Sequence, residues 1–213
     1  DRSGYNYFRV LSGRPYEARE FTVQGDASSA SYFWAAAAVT GGIVCTENIY
    51  PYTTRQGDIR FLELLETMGC AVEKKPDRVV VRGGRLAGIE ADMSSMPDLV
   101  PTLAAVALFA DGKTVIRDVP HLRHKESDRL QAVRMEWERL GGRVEELPDG
   151  LIIHGGGRLA GVPVDPHNDH RLAMSLAVVG LRAKGTKIKD EDCVKKSFPP
   201  FWELWGRMGA LSP

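Results

Sequence analysis

The sequence repeats itself with a period of about 72 residues, and this repeat constrains the fold more than any other feature. The tetrapeptide Arg85-Leu86-Ala87-Gly88 returns at residues 158–161, and the turn pair Pro76-Asp77 returns at residues 148–149. The helix stop at residues 68–69 has its counterpart at residues 140–141. A period of this length predicts several copies of one supersecondary unit that bury a shared core.

Each unit is predicted to run helix, strand, helix, strand, strand, and to open its first helix with an aspartate. The three aspartates are Asp26, Asp98 and Asp169, which place the units at about residues 26–90, 98–161 and 169–210. The third unit ends after its second helix, so the strand pair that closes the other two is missing from it. An open sheet edge is an aggregation liability. Either this unit is open or its closing strands come from elsewhere, and we therefore expect the chain to be a piece of something longer.

Hydrophobic periodicity, capping residues and turn residues locate the elements within each unit. The predicted helices run from residue 26 or 28 to 38, then cover 58–68, 98–110, about 125–140, 169–182 and 197–208. The predicted strands cover 43–44, 71–75, 79–82, 114–116, 144–146, 151–154 and 186–189. Residues 1–23 alternate weakly around Ser12-Gly13-Arg14-Pro15, which favours two short strands and a turn.

The charges of the sequence balance, with 28 Lys and Arg against 28 Asp and Glu. This balance excludes a global electrostatic attraction to nucleic acid or to an anionic membrane, so any anion recognition must be local. No apolar run approaches the length of a membrane span. Cys45, Cys70 and Cys193 lack metal-ligand spacing, and we expect them to be buried, reduced thiols in a cytosol-like compartment.

Two charged turns are candidates for such local recognition. Lys125, Glu126 and Arg129 lie at the start of one predicted helix, and His170 and Arg171 lie at the start of another. Cations in a first helical turn oppose the macrodipole, which is already positive there. An anionic ligand removes this conflict by using the cations together with the free backbone N–H groups. The alternative at either place is an ordinary solvated face, but two such turns favour an anion site.

Asp98 and Lys196 extend this candidate site. Asp98 follows Met96-Pro97 in apolar surroundings, where a carboxylate is either the acceptor of a proton from a hydroxyl substrate or simply a helix cap. Lys196 precedes the last predicted helix and is either a site residue or a surface charge. In a pseudo-threefold arrangement the helix starts converge on one point. Because arginine forks suit carboxylate and phosphate groups, we expect a small dianionic substrate that carries both.

Four stretches resemble the C-terminal half of the 5-enolpyruvylshikimate-3-phosphate synthase family, a branch of the enolpyruvyl transferases. They are residues 25–33 (GDASSASYF), 124–130 (HKESDRL), 168–174 (NDHRLAM) and 196–199 (KSFP). The resemblance implies an α/β fold in which each of two inside-out domains has three repeated helix-strand-helix-strand-strand units. It makes residues 1–23 the tail of the N-terminal domain and the crossover, and residues 24–213 the C-terminal domain. The family completes one domain with strands from the chain's N-terminus.

The resemblance also implies a reaction. The enolpyruvyl group of phosphoenolpyruvate is transferred to the 5-hydroxyl of shikimate 3-phosphate with release of phosphate, in the shikimate pathway of aromatic amino acid biosynthesis, without a metal or cofactor. Matching motif positions make Asp98 the base toward the 5-hydroxyl and place Lys125 at shikimate 3-phosphate. Arg129, Arg171 and Lys196 hold phosphoenolpyruvate.

Three residues are implied in proton transfer at the methylene carbon of phosphoenolpyruvate, namely Glu126, His170 and Lys196. His121 stands where many members of the family have an asparagine that contacts shikimate 3-phosphate. The family's remaining substrate contacts have no counterpart in this sequence, so the N-terminal half of the same enzyme is the expected partner. We expect a cytoplasmic location, or a plastid in a plant. The alternative is a non-catalytic phosphoanion-binding domain with the same fold.

Overall fold

The computed structural model describes residues 2–4, 6–13 and 15–209. Over these residues it is a mixed α/β structure. Its helices are α1 Ala27–Thr40, α2 Phe61–Met68, α3 Val100–Ala107, α4 Arg129–Arg139, α5 His170–Gly180 and α6 Phe201–Gly209. Its strands are β1 Arg2–Ser3, β2 Tyr7–Phe8, β3 Ile43–Glu47, β4 Ala71–Lys74, β5 Arg78–Arg82, β6 Glu90–Asp92, β7 Lys113–Arg117, β8 Arg143–Leu147, β9 Gly150–His154, β10 Pro163–Val164 and β11 Lys187–Ile188. Among the residues described, no helix has both the length and the apolar character needed to cross a bilayer.

The first helices of the three units, α1, α3 and α5, pack against one another in the centre. A helix that is apolar on all sides has to be buried, and every residue of α3 is buried. Thr102 Oγ1 of α3 lies 3.4 Å from Ser175 Oγ of α5, which marks a close helix contact. Alternate residues of β3 and β4 are exposed, so these strands lie outside the helices. The predicted inside-out arrangement is therefore confirmed.

The sheets repeat one pattern. In the first unit the order is β3-β5-β4, and in the second it is β6-β7-β9-β8, with antiparallel neighbours except for the parallel pair β6 and β7. In the third unit, over the described residues, β11 pairs only with β10. The closing strand pair that the repeat predicts to be missing is thus missing from the described part of this unit. The parallel strands β6 and β10 were not predicted, because three and two residues are too short to show a period.

Residues 1–23 differ from the prediction. Strands β1 and β2 form a small antiparallel hairpin around Gly4, whose φ of 57° suits a turn, rather than two strands on either side of residues 12–15. Arg14 of the predicted turn lies outside the described residues. Residues 15–26 have no regular structure. Cys70 is buried, Cys193 is half-buried and Cys45 is exposed, so the expectation of three buried thiols is met by Cys70, only partly by Cys193, and is wrong for Cys45.

Two helices begin about four residues later than predicted. Helix α4 begins at Arg129 because Asp128 has extended backbone angles and accepts a hydrogen bond from the backbone N–H of Gln131 at 3.1 Å. Lys125 and Glu126 therefore lie in the loop before the helix. Helix α6 begins at Phe201 rather than 197, since Pro199 and Pro200 disfavour helical angles in the residues before them. Residue 210, at the end of the predicted third unit, lies outside the described residues.

One structural mark of the repeat was missed in the sequence. In each unit the strand that follows the first helix (β3, β7 or β11) is followed within two residues by a non-glycine residue with left-handed backbone angles. These residues are Asn48 (φ 59°), Asp118 (φ 65°) and Asp190 (φ 42°). Asn and Asp tolerate this conformation better than other side chains. The spacing of 70 and 72 residues follows the period, so the same left-handed conformation recurs once in each unit at this position.

Candidate functional site

The N-terminal ends of α3, α4 and α5 bring charged residues from two units together. Asp98 lies in a 3-10 turn just before α3, and Arg129 is the first residue of α4. Asp169 caps α5 by accepting a hydrogen bond from the backbone N–H of Arg171 at 2.9 Å. The predicted convergence of the helix starts is therefore present, and Lys125, Glu126 and Lys196 also contact this group.

Asp98 is surrounded by three cations. Its carboxylate lies 2.8 Å from Arg129 Nη1, 2.8 Å from Arg171 Nη2 and 3.6 Å from Lys125 Nζ. Burial by itself raises the pKa of Asp98, but the positive charges of Arg171, Arg129 and Lys125 outweigh it and lower the pKa below its ordinary value. The cap position of this turn is Met96, and among the described residues the Asp98 carboxylate accepts its hydrogen bond from Arg129 rather than from a backbone N–H, which does not support the alternative that Asp98 is a helix cap.

Arg129 lies at the centre of the cluster. Its side chain is only 1% exposed, and it donates from Nε to Asp169 Oδ2 at 2.7 Å and from Nη2 to Glu126 Oε2 at 2.8 Å. Burial lowers the pKa of Arg129, but the hydrogen bond to Asp169 and the surrounding carboxylates reverse this effect and raise it. At this helix start the conflict between cation and macrodipole, for which the sequence suggested an anionic ligand, is already offset by carboxylates of the chain itself.

Glu126 links the cluster to Lys196. Lys196 lies in a 3-10 turn before α6, and its Nζ is 2.6 Å from Glu126 Oε1. This hydrogen bond, aided by Arg129, lowers the pKa of Glu126 to about 2. Lys196 is 59% exposed, so its remaining N–H donors face solvent. The neighbouring Lys195 pairs with Asp192 on the surface.

His170 is buried beside the cluster, with 4% of its surface exposed. Burial, followed by the nearby charge of Arg171, lowers its pKa, so the ring is neutral at pH 7. Its Nδ1 has no hydrogen-bond partner among the described residues and lies 4.0 Å from Asp169 Oδ1. A neutral imidazole with a free nitrogen can accept or donate a proton.

The structure adds two residues that were not expected at the site. Asp58 accepts a hydrogen bond from Ser28 Oγ, and burial raises its pKa while Ser28 and Arg171 partly offset this. Tyr32 in α1 is fully buried, its hydroxyl has no hydrogen bond of good geometry among the described residues, and burial raises its pKa to about 12 against the opposing charge of Arg171. A tyrosine inside an alanine-rich helix was the only signal in the sequence; Asp58 gave none.

His121 is not part of the cluster as the structure has it. It is exposed in the 3-10 turn Pro120–His124, and within the described part of the chain it has no hydrogen bond or ion pair with the residues above. Asp26, in contrast, caps α1 as expected, accepting from the backbone N–H groups of Ser28 and Ser29.

Three repeated α/β units with buried central helices, and charged helix starts that meet at one point, define a domain of the enolpyruvyl transferase class. The family model described as EPSP synthase (3-phosphoshikimate 1-carboxyvinyltransferase) matches residues 2–205. The chain belongs to this family.

Similar proteins support this assignment. A 3-phosphoshikimate 1-carboxyvinyltransferase from Syntrophobacter fumaroxidans is 53% identical over 204 residues, which are 94% of this chain and 48% of that protein. The protein of the same name from Methanoculleus marisnigri is 52% identical over 97% of this chain and 49% of its own length. The solved structure of EPSP synthase from Acinetobacter baumannii has a TM-score of 0.76 and 34% identity, covering 87% of this chain and 46% of that one. The chain thus spans about half the length of the curated relatives it matches.

Proposed function

We propose that this chain forms the phosphoenolpyruvate-binding half of a 3-phosphoshikimate 1-carboxyvinyltransferase. The observation that carries the proposal is the meeting of Asp98 with Arg129, Arg171 and Lys125, which joins a carboxylate to cations from separate helix starts. Such a cluster can accept a proton from a hydroxyl group and hold an anion beside it. Membership of the family supports the choice of substrates.

The cations differ in their exposure and in the number of carboxylates that already pair with them. Arg171 is 16% exposed and pairs with Asp98, and Lys196 and Lys125 are more exposed. These three side chains receive phosphoenolpyruvate and the phosphate of shikimate 3-phosphate first. Arg129 is already bonded to three carboxylates, so it contacts phosphoenolpyruvate only where the ligand replaces Glu126 or Asp98 as its partner. His121 is carried over as a shikimate 3-phosphate contact from the family motif.

The anion site and the base act on each other. In the absence of a ligand, three cations hold Asp98 ionised and make it a weak base. A dianionic ligand that pairs with Arg171 offsets part of its positive charge, so the pKa of Asp98 rises toward its ordinary value. The carboxylate then becomes better able to accept the 5-hydroxyl proton. Binding of phosphoenolpyruvate therefore prepares the base for the second substrate.

Proton transfer at the methylene carbon falls to three residues. The new C–O bond forms at C2 of phosphoenolpyruvate as a proton is added at C3; phosphate then leaves C2, and the proton is returned from C3. Glu126 and Lys196 share a hydrogen bond through which a proton can pass, and His170 has a free ring nitrogen. Each is a candidate, and the reaction as a whole releases phosphate, restores the C2–C3 double bond and forms the enol ether of the 5-hydroxyl.

The remaining shikimate 3-phosphate contacts come from the N-terminal half of the enzyme in this proposal. Residues 1–23 then belong to the first domain and the crossover, and residues 24–213 to the second. A cytoplasmic location is part of the same proposal.

An assay with a complementary half tests the function. The chain is mixed with the N-terminal half of the relative from Syntrophobacter fumaroxidans, and phosphate release and product formation from both substrates are measured. We expect turnover from the mixture but not from either half, because positioning dominates such catalysis. Binding of phosphoenolpyruvate by a stable complex without turnover would favour the non-catalytic alternative and overturn the proposal.

A further inference from the structure

Helix α4 makes a second polar contact with the segment that leads into α5. Arg129, at its first position, holds Asp169; Glu136, seven residues later on the same side, holds residues 165–167. Glu136 Oε2 accepts the backbone N–H of Asp165 at 2.9 Å, and Glu136 Oε1 lies 3.2 Å from His167 Nε2. The connector that carries the anion-binding turn is therefore fixed at two points along one helix.

Glu136 is fully buried, with 0% of its side chain exposed. A buried carboxylate is stable only where hydrogen bonds replace its hydration. The equivalent position in the first unit, 72 residues earlier, is Leu64, which packs against the core. The second unit thus has a buried acid, facing the connector, at a position where the first unit has an apolar residue. Packing of the core would be satisfied by an apolar side chain at this position, as it is at Leu64.

The connector itself needs such support. His167 and Asn168 both have left-handed backbone angles, with φ of 53° and 55°. Consecutive left-handed residues other than glycine persist only where the surroundings hold them. Two further hydrogen bonds lie within the segment: His167 N–H donates to Asp165 Oδ1 at 2.8 Å, and Asp169 N–H donates to Pro166 O at 2.9 Å. Asp169, at the end of the segment, is held by Arg129, and Asp165 lies 3.9 Å from Lys189 Nζ. Glu136 supplies the hydrogen bonds that tie residues 165 and 167 to α4.

We propose that Glu136 is a positioning residue for the anion site. It holds the connector in the strained conformation that places Asp169, His170 and Arg171 at the start of α5. It touches none of the reacting groups and acts only through residues 165–169. This inference rests on the proposed function in so far as the positioned residues bind the substrate anion.

Three variants of the 213-residue chain test the role. Glu136→Leu reproduces the residue of the first unit and removes both acceptors. Glu136→Gln is the conservative change, because its amide oxygen can accept the Asp165 N–H while its amide N–H₂ donates to the other tautomer of His167. His167→Asn removes one contact at a position where Asn tolerates the backbone angles. Val133→Ala, also buried on α4, is the stability-matched control.

Affinity for inorganic phosphate is measured by calorimetry at 20 °C, together with hydrogen exchange of the backbone amides of residues 169–171. We expect Glu136→Leu to weaken binding by about tenfold and to speed exchange of the Arg171 amide, which is bonded to Asp169. His167→Asn should show a smaller loss and Glu136→Gln should recover most of the affinity. Val133→Ala should lower the melting temperature without either effect.

Wild-type affinity in Glu136→Leu, or an equal loss in Val133→Ala, would overturn the positioning role. If Glu136→Leu does not fold, unchanged affinity and exchange in His167→Asn overturn it instead. If the wild-type chain binds no phosphate, the proposed anion site fails. The exchange of the Arg171 amide then decides the role of Glu136 by itself, since faster exchange supports it and unchanged exchange contradicts it.

Discussion

Arg129 Nη1 lies 2.8 Å from Asp98 Oδ1, which joins the start of α4 to the turn before α3. This ion pair connects the proposed base with a proposed ligand of phosphoenolpyruvate. It means that the domain neutralises its own anion site when no substrate is bound. An anionic substrate must therefore displace Asp98 or Glu126 from the arginines in order to bind to them.

Arg129→Ala should strongly destabilise the chain. The substitution leaves Asp169, which is completely buried, without its cationic partner. Breaking one side of a buried ion pair costs about 3–5 kcal/mol. We expect a loss of that size in the free energy of unfolding, measured by urea denaturation at pH 7.

Arg134→Ala on the same helix is the control for this loss. Arg134 pairs with Glu138 and Glu146 at the surface, where such pairs contribute about 1 kcal/mol or less. Equal losses in the two variants would mean that the buried ion pair of Arg129 contributes no more to stability than a surface ion pair.

Asp98→Asn should increase the affinity of the chain for phosphate. The neutral amide no longer competes for Arg171, so an added anion meets a more positive site. An effect of about fivefold corresponds to one partly exposed ion pair. Calorimetric titration measures it, with Asp111→Asn as the control, because Asp111 is exposed and pairs with Arg85 outside the cluster. Weaker binding in Asp98→Asn would show that the carboxylate does not compete with the anion.

The same substitution should have the opposite effect on turnover. In the complemented enzyme, Asp98→Asn removes the proposed base, and we expect the rate to fall by about 10² to 10⁴ while substrate binding is retained. Steady-state kinetics with both substrates separate kcat from KM. A rate within a few-fold of wild type would remove Asp98 from the catalytic residues.

Phosphate or phosphoenolpyruvate should raise the melting temperature of the chain more than sodium chloride at equal ionic strength. Millimolar binding is expected, and a tenfold excess over Kd then raises the melting temperature by about 3–6 °C. Arg171→Ala should remove most of this increase, whereas Arg143→Ala, at an exposed position of β8, should retain it. An identical increase in all three proteins would place the anion elsewhere.

The stability of the chain should depend on Glu126 between pH 5 and pH 2. Its pKa is about 2 in the folded chain against an ordinary value of 4.5, because it accepts a hydrogen bond from Lys196. A carboxyl group with a lowered folded pKa contributes stability that is present above the unfolded value and is lost as the pH falls through the folded value.

Unfolding of the wild type and of Glu126→Gln measures this contribution. The difference in free energy of unfolding should be constant above about pH 5 and should shrink toward pH 2. In the Lys196→Gln background the same comparison should show much less change with pH. A difference that does not vary with pH in the wild-type background would contradict the lowered pKa.

The sequence by itself determined the repeat, the central helices and the missing strand pair. These features depend on residues close together in the chain, such as the glycine and proline-aspartate turns and the capping Asp26, whose preferences are local. The same reasoning failed where a strand was too short to show a period, and where a capping residue, Asp128, started a helix later than its apolar pattern suggested. It missed the short strands β6 and β10, and it placed Lys125 and Glu126 inside a helix that begins only at Arg129.

The tertiary structure alone decided how the charges of the site are balanced. Arg129 and Asp169 are 40 residues apart, and Lys196 and Glu126 are 70 apart, so no local preference relates either pair. The sequence therefore predicted that an anionic ligand would neutralise the cations, whereas in the folded chain carboxylates of the same domain do so. The physical reason is that a buried charge is tolerated only beside a compensating one, and its partner is chosen by packing of distant elements rather than by position in the chain.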